Sequence, residues 1–454
     1  MAFRSLNPAT GELLEEFPAW SPEQLDSTLA AVAAATPRWR ETLMAERAAL
    51  MQQAAGLLRE RRDDLAKLIT LEMGKRFKEA QGEIEKCAWV CDYYAENGPD
   101  FLADELIETD ADRSLLSYQP LGTVLAVMPW NFPFWQVFRF AAPALVAGNT
   151  AVLKHASNVP QCAMAIEEVF REAGFPQDVF RTLMISASQV KSVIEDRRVH
   201  AVTLTGSEPA GRQVAATAGA MLKKSVLELG GSDAFVVLED ADLEWAVEQA
   251  VTSRYLNGGQ SCIAAKRFIV VEAVADAFVE RFREAVEALQ PGDPMEEATT
   301  LPPLARTDLR DELHRQVEES VANGAKLVTG GKPLQRQGAY YAATILDQVQ
   351  PGQPAYSEEL FGPVAIVIRA RDEADALRIA NDSDFGLGSS IWTRDTERGE
   401  RLARLIEAGC SFVNGMVKSD PRLPFGGIKH SGYGRELSSL GIREFVNAKT
   451  IWIK

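Results

Sequence analysis

Cysteine and histidine are scarce in this 454-residue chain, with five of the first and four of the second. The thiols Cys87, Cys91, Cys162, Cys262 and Cys410 are odd in number and widely spaced. They show no disulfide framework and suit a reducing compartment. There is no His-Glu-x-x-His run and no paired Cys-x-x-Cys, so no metal site is expected. Cys87 and Cys91 stand one helical turn apart and read as buried helical thiols rather than half a metal site. Basic charge is also in deficit: 48 Lys and Arg face 64 Asp and Glu, a net charge of −16. That balance argues against nucleic acid and against an anionic membrane surface. An anionic substrate would have to be met by a few local cations. Long unbroken apolar runs are missing too. The most apolar stretch, residues 121–153, is interrupted by Pro129, Asn131, Pro133, Arg139 and Pro143, so it reads as a buried strand and helix, not a membrane span. The first residues, from Met1 to Pro8, lack the basic region and apolar run of a signal peptide. The expected location is cytoplasmic.

What is present is a globular composition, 46% apolar and 25% charged, long enough for two or three domains. From Pro22 to about Gly98, apolar residues recur at three- and four-residue spacing, with Gly74 separating two helices. From Leu121 the pattern alternates. Short apolar runs such as Val124–Val127, Ala151–Leu153, Phe180–Leu183 and Ala201–Leu204 are separated by helical segments, the mark of βαβ units and a parallel sheet. A second series follows Glu228: Ala234–Leu238, Phe268–Val271, Val364–Ile368 and Cys410–Val413. The expectation is two α/β domains with a seam near residue 230. The β-prone tail Lys449–Lys454 needs another element or another subunit to cover it.

Five segments carry candidate chemistry. Cys262 follows the glycine turn Gly258-Gly259-Gln260-Ser261, where a core strand is implausible. A thiol there can attack a carbonyl if it is accessible and its pKa is lowered. A buried structural cysteine is the alternative. Asn131, in Pro129-Trp130-Asn131-Phe132-Pro133, offers an amide donor for a developing oxyanion, with the Cys262 backbone N–H as the second donor; a turn-capping Asn is the bland reading. Glu228 ends an apolar run before Leu229-Gly230-Gly231, and a carboxylate at the edge of a buried strand has a raised pKa suited to a general base. A salt-bridged strand end is its alternative. The turn Gly206-Ser207 to Gly211 links a strand to a helix and would direct N–H groups at a phosphate, although an ordinary turn fits equally well. Lys154 ends another strand at the same sheet edge, either to meet a ribose or phosphate or simply to be solvated.

Taken in order, these motifs resemble the aldehyde dehydrogenase superfamily. They are Pro129–Pro133, Leu227–Gly231, Gly259–Cys262 and Glu359-Leu360-Phe361-Gly362-Pro363, supported by Asn7–Gly11, Pro424–Gly427 and Ser431–Leu437. The likeness covers essentially the whole chain. The length and the phrase Glu228–Asp233 look most like the short bacterial succinate-semialdehyde enzymes. The resemblance implies two Rossmann-like α/β domains plus a small β oligomerisation arm. An NAD(P)-binding domain would span 1–103 and 120–230, a catalytic domain 231–435, and the arm and tail 104–119 and 436–454. It implies Cys262 as nucleophile, Asn131 at the oxyanion and Glu228 activating water. Trp130, Lys154, Ser157, Gly206, Ser207, Gly211, Glu359 and Phe361 would hold NAD or NADP. The implied reaction is aldehyde oxidation through a Cys262 thiohemiacetal and thioester. Glu228 favours hydrolysis over transfer to coenzyme A.

For the substrate, Arg139 stands eight residues after Asn131, where the succinate-semialdehyde enzymes carry an arginine for the distal carboxylate. A surface role is the alternative. The second arginine of that group is replaced by Leu256, with Lys418 or Ser419 as candidate substitutes and Trp135 as a further pocket residue. Ser157 stands where NAD-preferring relatives carry a Glu, which opens the site to NADP. The expectation is therefore oxidation of succinate semialdehyde in a homodimer or homotetramer. Glutarate semialdehyde or a neutral aliphatic aldehyde is the alternative substrate. A non-catalytic binding protein on the same fold is opposed by the intact set of Cys262, Glu228 and Asn131.

Overall fold

The computed structural model describes residues 2–454; Met1 lies outside the described residues. Four helices open the chain after a short hairpin: Pro22–Glu41, Met44–Glu60, Arg62–Met73 and Phe77–Phe101. Ser21 and Gln24 cap the first of them reciprocally. Gly74 ends the third in the left-handed conformation.

The first sheet has six strands in the order Gly432–Tyr433, Lys224–Glu228, Ala201–Thr205, Thr123–Met128, Thr150–His155 and Phe180–Thr182. Its five longer strands are parallel. Both faces are buried, which is why these strands read as continuous apolar runs. Val124 and Ala126 join one core with Met51, Ile84 and Phe138, while Leu125 points to the other with Leu29 and Val214. The strand Thr123–Met128 is central, and the chain leaves its neighbours in opposite directions. The ends Pro129–Asn131 and Gly206–Ser207 therefore flank the crevice where doubly wound sheets bind ligands.

The second sheet has seven strands in the order Lys326–Thr329, Thr344–Asp347, Val364–Ala370, Ala265–Val271, Asp233–Val237, Gly388–Trp392 and Cys410–Val413. All pairings are parallel except that of Lys326–Thr329. Here too the alternation feeds two cores, Val236 and Ile269 on one side and Phe235 and Phe268 on the other.

The chain passes between the sheets at Leu229–Ser232, but residues 231–435 do not all stay with the second sheet. Gly432–Tyr433 returns antiparallel to the exposed edge of Lys224–Glu228, pairing Gly432 with Glu228. This covers that edge and carries Gly426 and Glu436 to the neighbourhood of Glu228. A third sheet joins the two arm segments: Val446–Ile453 pairs along its full length with Arg113–Pro120, whose other edge takes Glu105–Leu106. The apolar tail thus has its partner within the chain, and Leu106, Ile107, Trp452 and Ile453 remain exposed on this arm.

Candidate active site

The segment that presents Cys262 is built from backbone conformations few residues tolerate. Asn257, Gly258 and Gly259 all have positive φ, of 54°, 62° and 76°. A Cβ on Gly259 would also run into the carbonyl of Gly362. Side chains fix the loop from every side. Arg254 donates to the carbonyls of Gly259 (3.1 Å), Leu360 (3.0 Å) and Gly362. Gln260 donates to Asn257 (3.0 Å) and accepts from Ala305 (2.8 Å). Lys266 donates to the carbonyls of Ser261 and Cys262, both at 2.9 Å. The same ammonium meets Glu359 at 3.2 Å, so the nucleophile loop and the Glu359–Pro363 motif are one hydrogen-bonded unit.

Cys262 is half-buried and lines a cavity of about 350 Å³, a size suited to a small ligand. Cys87, Cys91 and Cys162 are fully buried. Burial pushes the Cys262 thiol up to about 12, partly opposed by Arg139 and Lys266. The expectation of a lowered thiol pKa is therefore corrected. The resting sulfur sits against apolar walls, and the charges of Glu359 and Glu228 also favour its protonated form.

Asn131 is brought to this loop. Its Nδ2 donates to the carbonyl of Gln260 at 3.1 Å, leaving its second N–H uncommitted, while its own carbonyl accepts from Lys75 (3.0 Å) and Asn257 (2.8 Å). His155 holds the same turn by donating Nε2–H to Pro133 at 2.9 Å, with Nδ1 accepting from Ala156 at 2.8 Å. Burial pushes its pKa down to about 4, which keeps it neutral.

Glu228 ends its strand only 2% exposed, and neither carboxylate oxygen has a hydrogen-bond partner. Burial raises its pKa well above the ordinary carboxylate range. Arg139 opposes that rise and Glu436 reinforces it. Arg139 is itself 2% exposed, which removes the surface reading. It pairs with Glu436, donates to Thr205 at 3.3 Å and lies 4.6 Å over the Phe425 ring. It also lines the Cys262 cavity, as do Trp135, Lys418, Ser419 and Leu256. Ser419 is buried, whereas Lys418 is exposed at the cavity rim.

The expected cofactor residues lie around the crevice. The helix Glu208–Ala220 has Ser207 as its N-cap with no side-chain cap bond, so its first N–H groups face outward. Lys154 is buried and its ammonium has no carboxylate partner among the described residues. Ser157 is exposed in the turn after that strand. Trp130 and Phe361 meet edge-on at 5.8 Å. Glu359 accepts from Gly231 N–H at 3.1 Å, and Gly230 leaves room for its carboxylate, which a Cβ there would overlap. Gly211 donates its N–H to the Ser207 carbonyl at 3.0 Å, and its bare Cα lets the helix pack on Leu229. The uncapped helix end, the unpartnered Lys154 and the exposed Ser157 form a donor set that fits an anionic dinucleotide.

Several site residues escaped the motif reading. Arg254 and Lys266 tie down the loop, and Glu436 partners Arg139. The helix Phe77–Phe101 contributes Lys86, which faces the cavity, and Glu83, whose carboxylate caps the helix Trp135–Val146 at 2.9 and 3.0 Å and pairs with Lys75. A signal for them existed. Glu83 and Lys86, one turn apart, interrupt a stripe of Ala80, Cys87 and Cys91 that is otherwise apolar and buried.

The chain is similar to known proteins over its whole length. A succinate-semialdehyde dehydrogenase [NADP(+)], described as probable, from Synechocystis sp. is 52% identical over 453 residues, with all of both chains covered. The succinate semialdehyde dehydrogenase [NAD(P)+] Sad of Escherichia coli is 49% identical over 99% of this chain and 97% of its own. The crystal structure of succinic semialdehyde dehydrogenase from Streptococcus pyogenes, in complex with NADP+, superposes with a TM-score of 0.98 at 42% identity over all of both chains. The family model for the aldehyde dehydrogenase family matches residues 1–451, and this chain belongs to that family.

Proposed function

We propose that the protein oxidises succinate semialdehyde to succinate with NADP or NAD. One observation carries this reading: a single cavity brings the thiol of Cys262 together with the cationic side chains of Arg139, Lys86 and Lys418. A short aldehyde bearing a carboxylate matches a cavity with a nucleophile at one end and positive charge at the other. The relatives named above support the same substrate and both cofactors. Ser157 supports NADP, because a hydroxyl leaves space and a hydrogen bond for a 2′-phosphate that a carboxylate would repel.

Cys262 adds its sulfur to the aldehyde carbon. The uncommitted N–H of Asn131 and the backbone N–H of Cys262 stabilise the oxygen as it gains charge. Because the resting thiol holds its proton, sulfur attack needs a base, and Glu228 has both oxygens free to accept. A bound nicotinamide cofactor supplies the hydride acceptor that turns the thiohemiacetal into a thioester. Lys154, the helix end at Ser207, Glu359 and the pair Trp130 and Phe361 would hold it. Glu228 passes the thiol proton to solvent and then takes a proton from water, whose oxygen attacks the thioester; the bond to the Cys262 sulfur breaks, the sulfur takes back a proton from Glu228, and the acid leaves. Gly426 leaves room beside this carboxylate, since a Cβ there would crowd Glu228 Oε1 at 2.7 Å.

A neutral aliphatic aldehyde is the second reading. Arg139 is already paired with Glu436, and much of the cavity wall is apolar. Purified protein decides between them when reduced cofactor formation is followed with succinate semialdehyde, glutarate semialdehyde and butanal. Equal kcat/KM for all three would overturn the carboxylate reading, and no turnover of any would overturn the enzyme. The division into a cofactor-binding part, a catalytic part and an arm belongs to the same proposal. So does a homo-oligomer formed through the arm, supported by exposed Leu106, Ile107, Trp452 and Ile453. Five free thiols support a reducing, cytoplasmic setting, and no helix among the described residues is long and apolar enough to cross a membrane.

A further inference from the structure

The cavity beside Cys262 contains a cation without a counter-ion. Lys86, on the helix Phe77–Phe101, lines that cavity, lies 4.3 Å over the Trp135 ring and donates to Ser419 Oγ at 2.8 Å. It forms no ion pair among the described residues. The carboxylates whose charge reaches it are committed elsewhere. Glu83 pairs with Lys75 and caps the helix at Trp135. Asp420 accepts from Arg422 at 2.9 and 2.7 Å. Arg139 differs, since its charge is met by Glu436. A partly buried ammonium with one neutral acceptor and one aromatic face is under-compensated.

Resting on the succinate-semialdehyde reading, we propose that Lys86 is the principal anchor for the distal carboxylate of the substrate, with Ser419 as its hydrogen-bonding companion and Arg139 as supporting charge. Leu256 lines the same cavity without any charge. The positive end therefore comes from a helix that no catalytic motif marks. Trp135 is the wall along which the carbon chain lies, because its ring already orients the ammonium. The state of Lys86 agrees with this role. Burial, followed by the charge of Arg139, pushes its pKa down to about 8, while Cys87, Asp420 and Glu83 oppose that shift. An arriving carboxylate replaces the lost solvation and restores the ammonium.

The test uses the full-length enzyme at saturating NADP and compares succinate semialdehyde with butanal. In Lys86→Met the ratio of their kcat/KM values falls by about tenfold or more, the size of one charge-assisted hydrogen bond, and the loss appears in KM rather than kcat. Lys86→Arg recovers part of the ratio. A ratio in Lys86→Met within about twofold of the parent overturns the proposal while leaving the substrate reading intact. A parent enzyme that does not prefer succinate semialdehyde overturns both. A measurement without any variant guards against misfolding. In the parent protein the same ratio declines as pH rises through about 8, where free Lys86 loses its proton. Titration of Glu228 and Cys262 acts on both aldehydes and leaves the ratio alone. A ratio that is flat with pH counts against Lys86.

Discussion

The two ends of the cavity are held in different ways. At the reactive end, the loop before Cys262 is fixed mainly by bonds to its own main chain, from Arg254, Lys266 and Gln260. At the distal end, position depends on contacts of charged side chains with separate segments: Arg139 with Glu436 and Lys86 with Ser419. Main-chain anchoring tolerates little change, because moving one bond moves the carbonyl and N–H groups that face the substrate. Charge anchoring can be rewired by one substitution. The chemistry should therefore be brittle and the substrate choice adjustable.

The hardest test of the brittle end is Cys262→Ser. Turnover should fall by about four orders of magnitude or more, as when a covalent nucleophile is lost, with NADP binding retained in a fluorescence titration. Detectable turnover near the parental rate would remove Cys262 from the mechanism. In the parent protein, alkylation of Cys262 should be slow at neutral pH and climb steadily towards alkaline pH, because burial holds the proton on sulfur. Rapid labelling at neutral pH without cofactor would mean that the thiol is activated at rest.

Glu228→Gln comes next. Formation of the first equivalent of reduced cofactor per active site should slow, because attack by Cys262 loses its base, and the steady rate should fall by about a hundredfold to ten-thousandfold. In the parent enzyme the steady rate should rise with pH well above the ordinary carboxylate range. The pKa of Glu228 is raised by burial and Glu436, so the basic form appears only there and is lost as pH falls. A plateau already reached near pH 5 would contradict this.

The sequence made the reactive end legible and the distal end only partly so. Cys262, Asn131 and Glu228 each sit in a short run whose glycines, prolines and apolar strand residues state their own backbone geometry. The parallel strands were equally plain, because Val124–Val127 or Phe268–Val271 are buried on both faces and carry no polar alternation. The strand Gly388–Trp392 was harder to read, since Gly388, Ser389 and Ser390 dilute its apolar run. The edge strand Gly432–Tyr433 is too short to leave a period. The partners of Arg139 and the approach of Lys86 depend on which helices pack together. No local pattern encodes that, beyond the charged interruption of a buried stripe. The raised thiol pKa is illegible in the sequence for the same reason: a glycine turn suggests exposure, but the walls that desolvate Cys262 come from elsewhere in the chain.

Asn131→Ala probes the junction between the two modes, because this side chain is both an oxyanion donor and a link to the Gln260 carbonyl. A loss of about a hundredfold in kcat with KM nearly constant is expected if the oxyanion role dominates. A loss accompanied by a lower melting temperature and slower burst kinetics would instead assign it to holding the loop.

The smallest effect should come from Ser157→Glu, which acts on the cofactor without touching the cavity. Ser157 is exposed, and no carboxylate pairs with the nearby Lys154 among the described residues. A new carboxylate would repel a 2′-phosphate and leave the ribose hydroxyls of NAD acceptable. The KM for NADP should rise by about tenfold, equivalent to about 1.4 kcal/mol, while that for NAD changes little. The ratio between succinate semialdehyde and butanal should stay as it was, since Lys86 and Arg139 line the cavity and Ser157 does not. A coupled change in aldehyde preference would mean that cofactor and substrate ends share one charge network. The division between a fixed reactive loop and an adjustable distal end would then have to be redrawn through the Arg139–Glu436 pair, the charges that already reach Glu228.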